Sequence, residues 1–316
     1  MRIGIIGLGL IGGTIAKSLK SKHHISAYDI SKETLDYAKA NDVVHDAYDN
    51  LKDFIANNDI FYLCLYPKSI VNFIFDNKSL FPKHSIIIEV SGIKKYLVDE
   101  IENFELENID IIFTHPVAGS EKVGVTNSKA EIFNNANYVI TPVKSNKLEN
   151  IELAKNLAKE MNFTSIATVS PKEHDDIIAY TSQLTHVLSL SLVNSISTTL
   201  DTKRFIGDSY RDLTRISKIN EKLWPDLFIT NKDALVEKIT SFESELRKFK
   251  DAIIMNDVDK LEELMIKSTN LRKNMDKGDF DASWGLPFKG VGIHNTPSIE
   301  VLPTSSNHMR STFKGY

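Results

Sequence analysis

Three glycines near the N-terminus, Gly7, Gly9 and Gly12, stand in the spacing G-x-G-x-x-G within Ile3-Gly4-Ile5-Ile6-Gly7-Leu8-Gly9-Leu10-Ile11-Gly12-Gly13. Alone the pattern says little. Here it follows an apolar run and opens the helical stretch Thr14-Ile15-Ala16-Lys17-Ser18-Leu19, and strand, glycine loop and helix in that order bind the pyrophosphate of a dinucleotide. Gly7 makes the tight turn, Gly9 lets the backbone approach the phosphates, and Gly12 lets helix and strand pack closely. The backbone around Leu8, Leu10 and Ile11 then brings N–H groups and the positive end of the helix to the phosphates. About twenty residues further on, a second apolar run ends in Ala27-Tyr28-Asp29, where a carboxylate accepts hydrogen bonds from ribose hydroxyls and repels a 2′-phosphate. NAD is therefore favoured; Lys32 is near enough to keep NADP as the less favoured alternative.

A second stretch with chemical character is Thr114-His115-Pro116-Val117-Ala118-Gly119-Ser120-Glu121. It lies at the carboxyl end of a predicted strand, where sheets of this kind bind ligands. A histidine placed there, fixed by Pro116 and opened by Gly119, reads as functional rather than structural. No metal site is expected, because the nine histidines do not fall in ligand spacing with carboxylates or a second thiol. No G-x-S-x-G marks a nucleophile elbow.

The elements that must carry these residues alternate in the first half of the chain. Apolar runs at Arg2–Ile6, His24–Tyr28, Asp59–Leu65, Ser85–Val90, Asp110–Thr114 and Tyr138–Thr141 are separated by amphipathic segments, the sign of a parallel sheet with crossover helices. Several lack alternation, as strands covered on both faces do. A helix over 147–161 and a strand over 164–168 complete a doubly wound α/β, Rossmann-type domain, residues 1–169. At Ser170 the texture changes: Ser170-Pro171-Lys172-Glu173 reads as a capping box with Pro at the first helical position. From there to 276 only helical periodicity follows, predicting an all-α domain for substrate binding and dimerisation. Its first run, 173–197, is long and apolar enough to be a buried helix. Gln183 and His186 share one face of it (i, i+3); His186 is either a ligand-facing or a core histidine. His174, twelve residues before His186, is rotated away and predicted to be a surface residue. The tail 277–316, rich in Gly and Pro, is expected to be extended on the body or partly disordered.

Composition narrows the partners. The 316 residues carry 38 basic and 42 acidic side chains, a net charge of −4, which gives no general attraction for nucleic acid. No run is long and apolar enough to span a bilayer, and the N-terminus lacks the form of a signal peptide. The one cysteine, Cys64, excludes an internal disulfide, fits a reducing compartment and sits in an apolar run as a buried thiol. A cytoplasmic location is expected.

Five segments resemble prephenate and arogenate dehydrogenases. They are the glycine loop; Glu89-Val90-Ser91-Gly92-Ile93-Lys94; residues 115–124; Ser182-Gln183-Leu184-Thr185-His186; and Arg211-Asp212-Leu213-Thr214-Arg215-Ile216 with Leu223-Trp224. The resemblance covers roughly residues 1–275 and implies NAD-dependent oxidative decarboxylation of prephenate to 4-hydroxyphenylpyruvate in tyrosine biosynthesis. It makes His115 the acceptor of the hydroxyl proton, in its neutral form. It gives Arg215 the substrate's other carboxylate, with Arg211 one turn away either assisting or paired with Asp208 or Asp212. It turns Gln183 and His186 toward the substrate, makes Glu121 a gate and Trp224 a wall of the site or of the subunit contact. It implies a homodimer through the helical domain, and a tail too short for an added regulatory domain. In one place the chain departs from the family, which commonly has Gly-Ser where this sequence reads Ser91-Gly92. The catalytic serine is then Ser91 through a shifted backbone, or His115 works without it. Arogenate, or another hydroxy acid, is the alternative substrate, and a non-catalytic NAD-binding protein a third reading.

Overall fold

A computed structural model gives the architecture over residues 1–104, 106, 109–120, 122–196 and 202–276. Glu121 and the tail 277–316 lie outside the described residues. The described residues divide into two units, one up to Arg247 and one beginning at Lys248.

In chain order the elements are β1 (Arg2–Ile6), α1 (Leu10–Leu19), β2 (His24–Tyr28), α2 (Lys32–Ala40), β3 (Asp46–Tyr48), α3 (Leu51–Ala56), β4 (Ile60–Leu63), α4 (Pro67–Asn77), β5 (Ile86–Glu89), α5 (Lys95–Ile101), β6 (Asp110–Val117), β7 (Asn137–Ile140), α6 (Leu148–Glu160) and β8 (Ser165–Thr168). The helical part follows: α7 (Pro171–Ile178), a π-helical turn (Ala179–Gln183), α8 (Leu184–Asn194), α9 (Asp208–Thr214), a 3₁₀ turn (Arg215–Ser217), α10 (Trp224–Thr230), α11 (Lys232–Met255) and α12 (Val258–Asp276). The eight strands form one sheet in the order β3-β2-β1-β4-β5-β6-β7-β8.

The sheet is not wholly parallel as expected: β7 runs antiparallel to β6, and β8 pairs parallel with β7. The chain from β6 to β7 crosses by short 3₁₀ turns rather than by a full helix, and parallel neighbours need the longer crossover. Strand β3 escaped the sequence reading because its three residues are only half-buried. Elsewhere the apolar runs serve both faces. In β4, Ile60 and Tyr62 enter one core with Ile3, Ile5 and Ile88, while Phe61 and Leu63 enter the other with Ile6, Ile87 and Phe113. Alternate residues of a strand point to opposite faces, so burial on both sides demands an unbroken apolar run.

The helix predicted over 173–197 differs in two ways. It is interrupted by the π-helical turn, and it is not enclosed: Ile177, Tyr180, Leu192 and Ile196 are exposed in the single chain. The capping box is present as read, with Ser170 Oγ accepting from Glu173 N–H and the Glu173 carboxylate accepting from Ser170 N–H.

Candidate active site

The glycine loop closes the amino end of α1 against β1. Gly7 has φ +92°, a conformation side chains rarely adopt, and its N–H donates to Tyr28 O at 3.0 Å. A Cβ at Gly12 would lie 2.1 Å from Gly7 O, whereas one at Gly9 would meet nothing within 4 Å. The loop is therefore sealed on the protein side and open on the other, the space a pyrophosphate needs. Asp29 Oδ2 accepts from Leu8 N–H at 2.7 Å and Oδ1 from Ser31 N–H at 2.8 Å, so the carboxylate ties the end of β2 to the loop. Each oxygen keeps a further lone pair for a ribose hydroxyl. Leu8 contributes backbone only; its side chain is buried in the core. These features fit a dinucleotide.

Gly9, Leu10, Ile11 and Gly12 line a cavity of about 560 Å³ that His115 lines as well. Strand β6 pairs with β5 only through Phe113 opposite Glu89, and from Thr114 onward it pairs with β7. His115 thus emerges where β5 has ended and the turn Val90–Lys94 passes beside it. Thr114 fixes the spot, its hydroxyl donating to Glu89 O at 2.7 Å and accepting from Tyr138 OH at 2.8 Å.

Behind His115 lies a buried chain of polar groups. His115 Nδ1 is 2.9 Å from His174 Nε2, and His174 Nδ1 is 2.7 Å from Asp175 Oδ1. The carboxylate also accepts from the N–H groups of Lys94 at 2.9 Å and Lys95 at 2.8 Å. Beneath it the Lys94 ammonium pairs with Glu89, both side chains at 0% exposure, and Glu89 also accepts from Ser91 N–H. Burial first, then His174 and the positive Lys94, hold the His115 pKa well below the ordinary histidine range. Burial and Lys94 bring His174 down to about 3, and burial raises Asp175 to about 6 against the pull of its backbone donors. Near pH 7 both rings are neutral and Asp175 is an anion.

A model of the prephenate dehydrogenase nucleotide-binding domain matches residues 15–167, and one of the prephenate dehydrogenase dimerization domain matches residues 170–267. The chain belongs to the prephenate dehydrogenase family. It is 28% identical over 265 residues to the prephenate dehydrogenase of Bacillus subtilis, covering 81% of this chain and 71% of that one. It is 28% identical over 278 residues to the cyclohexadienyl dehydrogenase of Zymomonas mobilis, covering 85% and 94%. Among solved structures, the Aquifex aeolicus prephenate dehydrogenase in complex with hydroxyphenyl propionate and NAD+ superposes with a TM-score of 0.80 at 25% identity, over 87% of this chain and 98% of that one.

Within this prephenate dehydrogenase fold the expected site residues separate into two sets. Gln183, His186, Arg215 and Trp224 all line the cavity with His115, Ser91 and Gly92. Gln183 is buried, donating to Leu227 O at 3.0 Å and accepting from Asn231 Nδ2 at 2.9 Å. The His186 ring lies on the Trp224 indole, centroids 3.7 Å apart, with Nδ1 2.9 Å from Ser182 O. Arg211, by contrast, does not line the cavity; it pairs with Asp208 at 2.8 Å on an exposed face. Ser91 sits in the wall but donates its hydroxyl to Ile93 O at 3.1 Å. It is position 92 that faces His115: a Cβ there would lie 3.7 Å from His115 Nε2.

His174 overturns its expectation most clearly, being 1% exposed. Twelve residues in a regular helix leave two side chains roughly a third of a turn apart. The wider π-helical turn between His174 and His186 winds less per residue and removes much of that offset. No residue type in 179–183 announces such a turn, so the sequence carried no signal for it. Lys122 and Lys218 were also missed as cavity residues, because isolated lysines in loops carry no spacing to read. Tyr66 closes the rim, its hydroxyl accepting from Asn220 Nδ2 at 3.2 Å.

Proposed function

We propose that this family member is an NAD-dependent prephenate dehydrogenase, converting prephenate to 4-hydroxyphenylpyruvate and CO2. One observation carries the reading: His115 and the glycine loop face a single cavity whose charged lining, among the described residues, is Lys122, Arg215 and Lys218 with no carboxylate. Such a lining suits a dianion. Bound NAD would supply the hydride acceptor at the nicotinamide. His115, neutral near pH 7, takes the proton of the ring hydroxyl while hydride leaves the same carbon. The ring carboxylate departs as CO2, and aromatisation makes the step downhill. Arg215 offers the fork that suits the remaining carboxylate, and the indole of Trp224 over His186 excludes water from one wall.

Asp29 supports NAD over NADP, since its oxygens would oppose a 2′-phosphate. We assign nucleotide binding to residues 1–169 and substrate binding and dimerisation to 170–276. The exposed Ile177, Tyr180 and Leu192 are suited to cover a second copy's helices, and the enzyme is read as a cytoplasmic homodimer. No described helix is long and apolar enough to cross a membrane. The deciding experiment follows absorbance at 340 nm with prephenate and arogenate, each with NAD and NADP. Turnover of prephenate with NAD is expected to exceed the other three; preference for arogenate would replace the substrate assignment, and no turnover at all would overturn the reading. Light scattering at micromolar protein should give twice the chain mass.

A further inference from the structure

Asp175 takes a backbone N–H donor on each oxygen, from Lys94 and Lys95, so it stands as an acceptor and gives the buried chain behind His115 a direction. Its Oδ1 lies 2.7 Å from His174 Nδ1, so that nitrogen carries the proton. A neutral His174 has one ring proton, which leaves Nε2 a bare acceptor. That acceptor lies 2.9 Å from His115 Nδ1, so His115 must hold its own single proton on Nδ1. We propose that His174 and Asp175 are positioning residues that fix the tautomer of His115, so that an unprotonated Nε2 faces the cavity. Nε2 is the atom beside Gly92 at the cavity wall.

Of the charged groups packed on the chain, Asp176 opposes the Asp175 anion, and Lys94 and the backbone donors outnumber it in favouring that anion. The N–H groups of Lys94 and Lys95 hold the Asp175 carboxylate from the far side. The Lys94 ammonium, although paired with Glu89, disfavours a further positive charge on either ring. Asn231 Nδ2 donates to Asp175 O at 2.9 Å and fixes the backbone that carries both relay residues. The ring centroids lie 5.1 Å apart with the planes at 66°, a twist about the N···N line that leaves the N–H of one ring aimed at the in-plane lone pair of the other. When His115 accepts a proton, the new charge is felt through His174 by the buried Asp175 anion. No proton need move along the chain.

The inference rests on His115 being the base of the proposed reaction, and its test separates the two. Histidine ring nitrogens of the full-length protein, labelled with 15N, are read by NMR at pH 8 in the wild type and in His174→Gln, His174→Leu and Asp175→Asn. Steady-state kinetics with prephenate and NAD, NAD affinity by fluorescence, and thermal unfolding accompany each. The wild type should show His115 protonated at Nδ1 and bare at Nε2. His174→Leu should populate both tautomers and lower kcat by about a hundredfold, with KM and NAD affinity within about threefold. His174→Gln should recover at least about tenfold of that loss, because its carboxamide accepts from His115 and donates to Asp175 as the imidazole does. Asp175→Asn should move the acid limb of kcat/KM to lower pH, since the anion that favours protonated His115 is gone. A wild-type His115 protonated on Nε2 overturns the proposal, as does equal kcat in the Gln and Leu variants. If Leu fails to fold, the wild-type tautomer and the Gln variant still decide. A wild type with the expected tautomer and no turnover would overturn the dehydrogenase reading and leave the relay standing.

Discussion

At the nucleotide end of the cavity the groups that matter lie between Gly7 and Asp29, close together in the chain and mostly backbone. At the reacting end they are side chains drawn from β6, α7, the π-helical turn, α8, a 3₁₀ turn and α10. The first end is built by leaving atoms out: Gly12 has no room for a Cβ against Gly7 O, and Gly9 leaves open space. The second is built by putting atoms in and satisfying each one: His115 on His174, His174 on Asp175, and Asp175 on two N–H groups. A backbone cradle is set by local conformation, whereas a buried polar chain exists only when distant elements meet in register.

If the two ends are as independent as their construction suggests, substitutions should separate them. The largest effect is expected at His115. His115→Asn should lower kcat by about a thousandfold while NAD affinity stays within about twofold; an equal loss of affinity would join the ends. For the wild type, kcat/KM should hold level from pH 8 through 7 and fall only below the ordinary histidine range. The sign follows from the depressed His115 pKa, which keeps the ring a base, and from Asp175, which takes up its proton near about 6. The titration belongs to the cluster as a whole, and a limb centred at about 6.5, the value of a solvated imidazole, would show a His115 open to water.

Next comes the buried pair beneath that cluster. Lys94→Met leaves Glu89 alone at full burial, and urea unfolding should show a loss of about 3–5 kcal/mol. Loss below about 1 kcal/mol would mean that water reaches the pair. Gly12→Ala should act on the other end. The loop has to move from the helix, weakening NAD by at least about tenfold and costing about 1–3 kcal/mol, with kcat at saturating NAD changed far less. Arg215→Gln should raise KM for the substrate by about tenfold with little change in kcat, as loss of a carboxylate fork does. The smallest effect belongs to Ser91→Ala, which removes one hydrogen bond to Ile93 O and should cost about 1 kcal/mol of stability with kcat within about threefold. A loss of a hundredfold there would return Ser91 to the chemistry.

The same contrast explains what could be read in advance. The glycine loop, Asp29 and most strands were visible because each depends on neighbours a few residues away or on an apolar run long enough to be covered on both faces. His115 was visible because Pro116 and the end of a strand mark it locally. Regular helix periodicity places His174 at the surface, whereas the helix widens over Ala179–Gln183 and His174 is buried. Arg211 and Arg215 look alike in sequence; only the pairing of Arg211 with Asp208 and the opening of Arg215 onto the cavity tell them apart. The antiparallel β7 was hidden because an apolar strand reads the same in either direction.

By itself, then, the sequence determined the dinucleotide cradle, the two-faced sheet, the helical second half and the family, all of which follow from local conformational rules and from motifs carried in chain order. The tertiary structure alone decided which side chains share one cavity, that Gly92 rather than Ser91 lies against His115, and that His174 and Asp175 stand behind it. Those facts turn on the winding of a helix and the point where β6 exchanges one neighbour for another, and neither is encoded at any single position.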